Sequence, residues 1–229
     1  PITIPRNVRH PPASKVPGSK GQIIPMASLA DIQGVPFILI QKRQEGIVPD
    51  LSFLDEAELL RHNRYLDNRK KQEFLAGRSF LKQELGEVLG KAPASISLSI
   101  SENGKPYYKE EGEKQVHFNL SHGGGYFVLG LSLNPIGVDL EKKREVSFEV
   151  MQPILGDMEA AQLAEIPDGE RSAQILNLFT AKEAFIKATD KKYGLDEIGF
   201  SYSNGSWKLI APKCKVQVEY VEHNELVIA

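Results

Sequence analysis

The sequence predicts an α+β chain of two pseudo-symmetric halves, each a small, mostly antiparallel sheet packed by a long helix. Three observations predict it. A short apolar strand, a long helix and a run of alternating strands occur in one order and then recur in the same order further along the chain. Segments of the two passes are alike: Ile38-Leu39-Ile40-Gln41-Lys42 matches Val138-Asp139-Leu140-Glu141-Lys142 at an offset of about 100, and FLAGRSFLK from Phe74 matches FTAKEAFIK from Phe179 at about 105. Asn103-Gly104 and Asn204-Gly205 each fall in a turn between strands. The halves are read as residues 36–134 and 135–229, preceded by a proline-rich arm over 1–35.

The arm carries Pro1, Pro5, Pro11, Pro12 and Pro17, and a residue with fixed φ and no N–H builds neither a helix nor a central strand, so an extended course is expected. Phe37 to Ile40 is a short buried strand. A helix capped by Ser52 or Asp55 runs, with a break near Asp67, to about Leu89, where Gly90 and Pro93 end it. Ile96, Leu98 and Ile100 alternate with polar neighbours as a half-buried strand, and Val116, Phe118 and Leu120 repeat the pattern. Tyr126 to Leu133 and Ile136 to Leu140 are strands, followed by helical segments around Glu145 to Leu155 and Asp157 to Glu165. An amphipathic helix from about Glu170 to Lys191 precedes strands near Phe200, Trp207 to Ile210, Lys215 to Val221 and Leu226 to Ile228.

With 229 residues and 41% hydrophobic content the chain has enough apolar material for an ordinary core. The net charge of -2 offers no global attraction to nucleic acid or to an anionic membrane, so an anion site must be a local patch. Cys214 stands alone, which excludes an internal disulfide framework and fits a reducing, cytoplasmic setting. The most apolar stretch, Tyr126 to Val138, is interrupted by Asn134 and Pro135 and is too short to span a bilayer as a helix.

Four constellations carry chemistry. In Gly137-Val138-Asp139-Leu140-Glu141 the strand period aims both carboxylates to one side. About 6.5 Å apart at an effective dielectric near 20, they repel by about 2.5 kcal/mol, which a bound cation reverses. Oxygen-only ligands favour a hard ion such as magnesium, although an Asp-x-Glu on a solvated strand is also plain surface. On the second long helix Ile175, Leu178, Phe179, Phe185 and Ile186 form the core stripe, and Thr180, Glu183 and Lys187 share a neighbouring face. Glu183 and Lys187 alone make an ordinary pair one turn apart, whereas Lys182 falls within the apolar stripe and needs an anionic partner or a route to water. The third constellation is Ser121-His122 followed by Gly123-Gly124-Gly125, either a phosphate nest or a hairpin turn. The fourth is a basic helix face with seven Lys or Arg against two acids between Arg61 and Lys82, extended by Lys105 after the Asn103-Gly104 turn. The remaining histidines show no zinc-ligand spacing.

In this order, ENGKPYY from Glu102, FNLSHGG from Phe118, IGVDLEKKR from Ile136 and FTAKEAFIKA from Phe179 resemble the phosphopantetheinyl transferases. That family is marked by a Gly-x-Asp-x-Glu strand and a Lys-Glu-Ala-x-x-Lys helix, and the resemblance covers about residues 36–210. The length and the Gly-Lys-Pro loop resemble the larger type that activates peptide synthetases, two halves in one chain working as a monomer. The resemblance implies transfer of the phosphopantetheine arm of coenzyme A to a serine of an acyl or peptidyl carrier protein, with magnesium, releasing 3',5'-ADP. It places the metal ligands on Asp139, Glu141 and Glu183, the general base on Glu183, and the lysine of the transferring phosphate on Lys187. It places coenzyme A contacts on Lys105, Pro106, Ser121, His122 and Asp139, and nucleotide-phosphate contacts on Arg69 or Lys71 and on Arg78. Two positions depart from the larger type: Phe179 replaces a tryptophan, and Gly123 a frequent serine. The competing readings are a non-catalytic coenzyme A or phosphate-binding protein of the same fold, and a protein-interaction module.

Overall fold

The computed structural model describes residues 8–9, 36–109, 115–210 and 216–229. The N-terminal half opens with β1 (Val8–Arg9) and β2 (Phe37–Lys42), which pair in parallel. Of the predicted arm only Val8–Arg9 is described, as an edge strand; the rest of it, and Cys214, lie outside the described residues. Asp55 caps α1 (Glu56–Arg64) in a reciprocal capping box with Glu58. Asp67 accepts the Arg69 N–H at the start of α2 (Asn68–Leu89), and Gly90 ends that helix at φ 65°. The hairpin of β3 (Leu98–Ile100) and β4 (Pro106–Tyr108) follows, then β5 (His117–Gly123) and β6 (Tyr126–Ser132). The sheet order is β1-β2-β6-β5. Gly124 and Gly125 join β5 to β6 with φ of 56° and 88°, two successive positive values as a two-residue hairpin turn of type I′ requires. The glycine run, which the sequence leaves between a phosphate nest and a hairpin, is therefore a hairpin turn.

The C-terminal half contains β7 (Leu140–Lys142), α3 (Phe148–Met151), α4 (Asp157–Ala164), α5 (Asp168–Thr189), the hairpin β8 (Phe200–Ser203) and β9 (Ser206–Leu209), then β10 (Val221–Glu222) and β11 (Leu226–Ile228). Its sheet order is β10-β11-β7, all antiparallel, the same arrangement as β5-β6-β2. The two-half α+β architecture stands. The strand expected over Ile136 to Leu140 joins its ladder late, because the Val138 N–H is taken by the Asn119 side chain at 2.8 Å. In the stretch expected as a strand from Lys215 to Val221, residues 216–220 form none and residue 215 is not described.

The repeat offset is corrected by the structure. α2 and α5 begin and end 100 positions apart, Asn68–Leu89 against Asp168–Thr189, so the match at 105 aligned similar letters out of phase. The physical marker of the true register is a buried lysine in each long helix. Lys82, fully buried, donates to the Phe53 carbonyl (2.7 Å) and pairs with Glu58 (2.5 Å). Lys182, equally buried, donates to the Ile154 (2.9 Å) and Leu195 (2.8 Å) carbonyls and pairs with Glu159 (2.5 Å). Glu58 and Glu159 hold the same place in α1 and α4, each also accepting an amide N–H at its helix start. Lys182 thus finds the anionic partner that its position on the apolar stripe demands.

Three apolar clusters build the interior. One lies between α2 and the N-terminal sheet around Leu81, Leu85, Phe127 and Leu129. A second packs α5 against the β8–β9 hairpin around Leu178, Phe185, Phe200 and Trp207. The third is the seam between halves, where Ile38, Ile40 and Val128 meet Val138, Leu140 and Ile228.

Candidate functional site at the seam between halves

Gly137 makes the seam possible. A Cβ at this position would lie 2.1 Å from the Ala184 carbonyl oxygen and 2.2 Å from the Ala188 nitrogen, both backbone atoms of α5. Without a side chain here, the chain entering β7 rests directly on α5, two residues before Asp139 and beside the turn that carries Glu183 and Lys187. Gly137→Ala is expected to push strand and helix apart and to lower stability by about 1–3 kcal/mol, as overpacking does. Urea unfolding checks this, with a shifted midpoint as the expected result.

Asp139 and Glu141 lie on one face of the strand, with buried Leu140 between them on the other. Asp139 is 6% exposed. Its Oδ1 accepts the Ser121 hydroxyl from β5 (2.9 Å) and the Lys187 ammonium from α5 (2.5 Å), and Lys187 also lies 3.1 Å from the Ser121 oxygen. One carboxylate oxygen therefore ties both halves and the long helix together. Glu183, one turn before Lys187, has no hydrogen bond or ion pair among the described residues. Burial raises its carboxyl above the ordinary glutamate range; Lys187 pulls it back, while Asp139 and Glu141 push it further up. The three acids are thus within electrostatic reach of one another. Glu141 makes a long contact with Arg144 at 3.5 Å.

A metal was tested against this donor set. The chemistry fits a hard cation: three oxygen donors, of which Glu183 is half-buried with no donor bonded to it. The spacing is open, since among the described residues no three His, Cys, Asp or Glu side chains are grouped as a ready cage. An ion that keeps waters and shares its shell with substrate phosphates needs no closed cage.

The basic residues fare differently. Lys105 turns inward and donates to the carbonyls of Ile136 (3.0 Å) and Lys187 (2.5 Å), while Asn103 donates to that of Asp190 (2.6 Å). The N-terminal hairpin turn thereby fastens the last turn of α5, and burial lowers the Lys105 ammonium below the usual lysine range. Lys105, Pro106, Asn119, Lys187, Lys192 and Tyr193 line a cleft of about 410 Å³. A larger cleft, about 810 Å³, lies near Trp207 and Tyr220 and holds none of the predicted site residues, so chemistry rather than size assigns the site.

Arg78 departs from what the resemblance implies. Its guanidinium is buried beside Glu58 (Nε at 3.1 Å) and over the Phe74 ring (5.3 Å), because this turn of α2 faces α1 rather than the seam. Burial lowers its pKa as well. Arg69 is exposed and Lys71 half-buried on the first turns of α2. His122 is exposed, its Nδ1 2.8 Å from Glu73, which also pairs with Arg43.

Sequence reasoning missed Asn119, Glu73, Arg43 and Glu159. Asn119 lies two residues before Ser121 on β5, so the strand period of two could have found it. Glu159 had a local signal too, an acid at the third position of a helix start. Arg43 and Glu73 are 30 positions apart and gave none.

Only one of the two pseudo-equivalent seams carries the chemistry. At the register of the buried lysines, Asp139, Glu141, Glu183 and Lys187 correspond to Leu39, Gln41, Gln83 and Glu87.

Comparison with known proteins agrees with this two-half construction. A family profile described as the N-terminal part of 4'-phosphopantetheinyl transferase matches residues 43–133, and one described as the 4'-phosphopantetheinyl transferase superfamily matches residues 135–223. The chain belongs to the 4'-phosphopantetheinyl transferase superfamily, in its larger form with both halves in one chain. Among curated relatives, a 4'-phosphopantetheinyl transferase of Bacillus subtilis is 30% identical over 60% of this chain and 61% of its own length. One of Bacillus pumilus is 29% identical over 68% and 65%, and one of a Nostoc species 31% over 59% and 59%. The chain therefore spans less than two thirds of the length of these relatives. Among the described residues no helix is long and apolar enough to cross a membrane.

Proposed function

We propose that the protein transfers the phosphopantetheine arm of coenzyme A to a serine of an acyl or peptidyl carrier protein and releases 3',5'-ADP. The observation that carries this reading is the Ser121–Asp139–Lys187 cluster at the seam, with Glu183 one turn from Lys187. Magnesium, held by Asp139, Glu141 and Glu183, would neutralise charge on the diphosphate where its bond breaks. Lys187 is the ammonium of this cluster, already seated on Asp139 and 29% exposed, and it steadies the phosphoryl group that changes hands. Glu183 accepts the proton of the carrier serine as that oxygen bonds to the phosphorus bearing pantetheine. The phosphorus–oxygen bond to 3',5'-ADP breaks in the same displacement. Both sides of the site come from one chain, which supports a monomer as the working unit, in the cytoplasm.

The test incubates the protein with coenzyme A, magnesium and a panel of apo-carriers from fatty-acid, polyketide and peptide synthesis, read by intact mass. At least one carrier is expected to gain the mass of the arm, and a chelator should abolish the gain. Coenzyme A binding with no carrier modified would instead favour the non-catalytic reading, towards which the Lys187 ammonium seated on Asp139 points.

A further inference from the structure

The mechanism above leaves one charged cluster unused. His122 stands at the end of β5 next to Ser121, Arg43 follows the last residue of β2, and Glu73 lies on the second turn of α2. One carboxylate oxygen of Glu73, Oε1, takes both the His122 Nδ1 at 2.8 Å and an Arg43 guanidinium nitrogen. The Arg43 backbone is fixed as well, its N–H bonded to the Gly125 carbonyl in the hairpin turn (2.9 Å). The side chains of Arg43 and Glu73 are only 24% and 21% exposed, whereas that of His122 is 55% exposed and opens to the seam beside Ser121. Two anion-seeking groups beside the proposed diphosphate site are thus already engaged by an internal anion.

We propose that Arg43 and His122 form a phosphate-binding pair held by Glu73, and that Glu73 sets the affinity of the site for its phosphate-bearing nucleotide. This rests on the reading of the site as a coenzyme A site. The carboxylate occupies the position an incoming phosphate oxygen would take on the same two donors. It also cancels positive charge within one side-chain length of the ligand. A polyanion must therefore displace or tolerate Glu73, and both cost affinity in a partly desolvated place. Glu73 acts through its two partners and is a specificity-setting residue, not a catalytic one.

Glu73→Gln tests this, because glutamine keeps an acceptor for the His122 N–H and loses only the charge. Calorimetric titration with coenzyme A, with 3',5'-ADP and with uncharged pantetheine, in the absence of any carrier, reads binding apart from turnover. The variant should bind both nucleotides about fivefold more tightly than the parent at low salt, with the advantage shrinking as salt is raised. Pantetheine should not discriminate. Arg43→Gln should weaken both nucleotides and remove most of the gain from Glu73→Gln in the double variant, whereas Arg43→Lys should restore most of the affinity. A lost structural contact does not tighten binding, so unchanged or weaker nucleotide binding by Glu73→Gln overturns the proposal. A parent that binds coenzyme A while Glu73→Gln shows no advantage sinks the role of Glu73 alone; a parent that binds neither nucleotide sinks the coenzyme A reading and this inference together.

Discussion

A chain carrying Glu183→Gln is expected to fold like its parent and to modify a carrier at least a thousandfold more slowly. General-base removal alone costs about 10²–10⁴ in rate, and this residue also belongs to the proposed metal-binding set. The fold should tolerate the change because Glu183 makes no hydrogen bond or ion pair among the described residues. Glutamine has nearly the same shape, and the parent carboxyl is held above its usual range chiefly by burial. An acid raised in this way is less stable ionised in the fold than in the unfolded chain, so at neutral pH its charge opposes folding. A neutral amide removes that opposition, and the thermal midpoint should stay level or rise slightly. Carrier labelling followed by intact mass, beside a thermal melt, checks both halves of the statement. Labelling at the parent rate would remove Glu183 from the mechanism.

The largest effect on stability is expected one residue earlier. Lys182→Met should destabilise the protein by about 3–5 kcal/mol, because it strands the Glu159 carboxylate in the core. Glu159 is 1% exposed, and with Lys182 gone it keeps only the Gly156 and Phe200 N–H groups as donors. The Ile154 and Leu195 carbonyls lose their donor at the same time. Lys82→Met in the other half is the internal comparison: there Glu58 retains Arg78 beside it, so the loss should be smaller. Urea denaturation of the two variants measures the difference, and equal losses would show that Arg78 does not compensate Glu58.

Much of the fold was legible because it rests on local rules. Alternation located β2, β5 and β6, and the Asn-Gly pairs marked the β3–β4 and β8–β9 turns. The Asp67 cap and Gly90 bounded α2 as predicted. Strand period put Asp139 and Glu141 on one face, and helix period put Glu183 and Lys187 on another. What failed, failed where letters stand in for packing. FLAGRSFLK and FTAKEAFIK look alike, yet Lys82 and Lys182, each in a cage of carbonyls and one glutamate, show the helices to be repeated five positions differently.

By itself the sequence determined which side chains can do chemistry here, and which of them share a face, since both follow from residue type and backbone period. Only the tertiary structure decided which cations remain available for a substrate. Lys182 goes to Glu159, Arg78 to Glu58 and Lys105 to two carbonyls across the seam. A charge leaving water must be met by whatever polar groups the fold places around it, and those groups come from distant segments that no local pattern encodes.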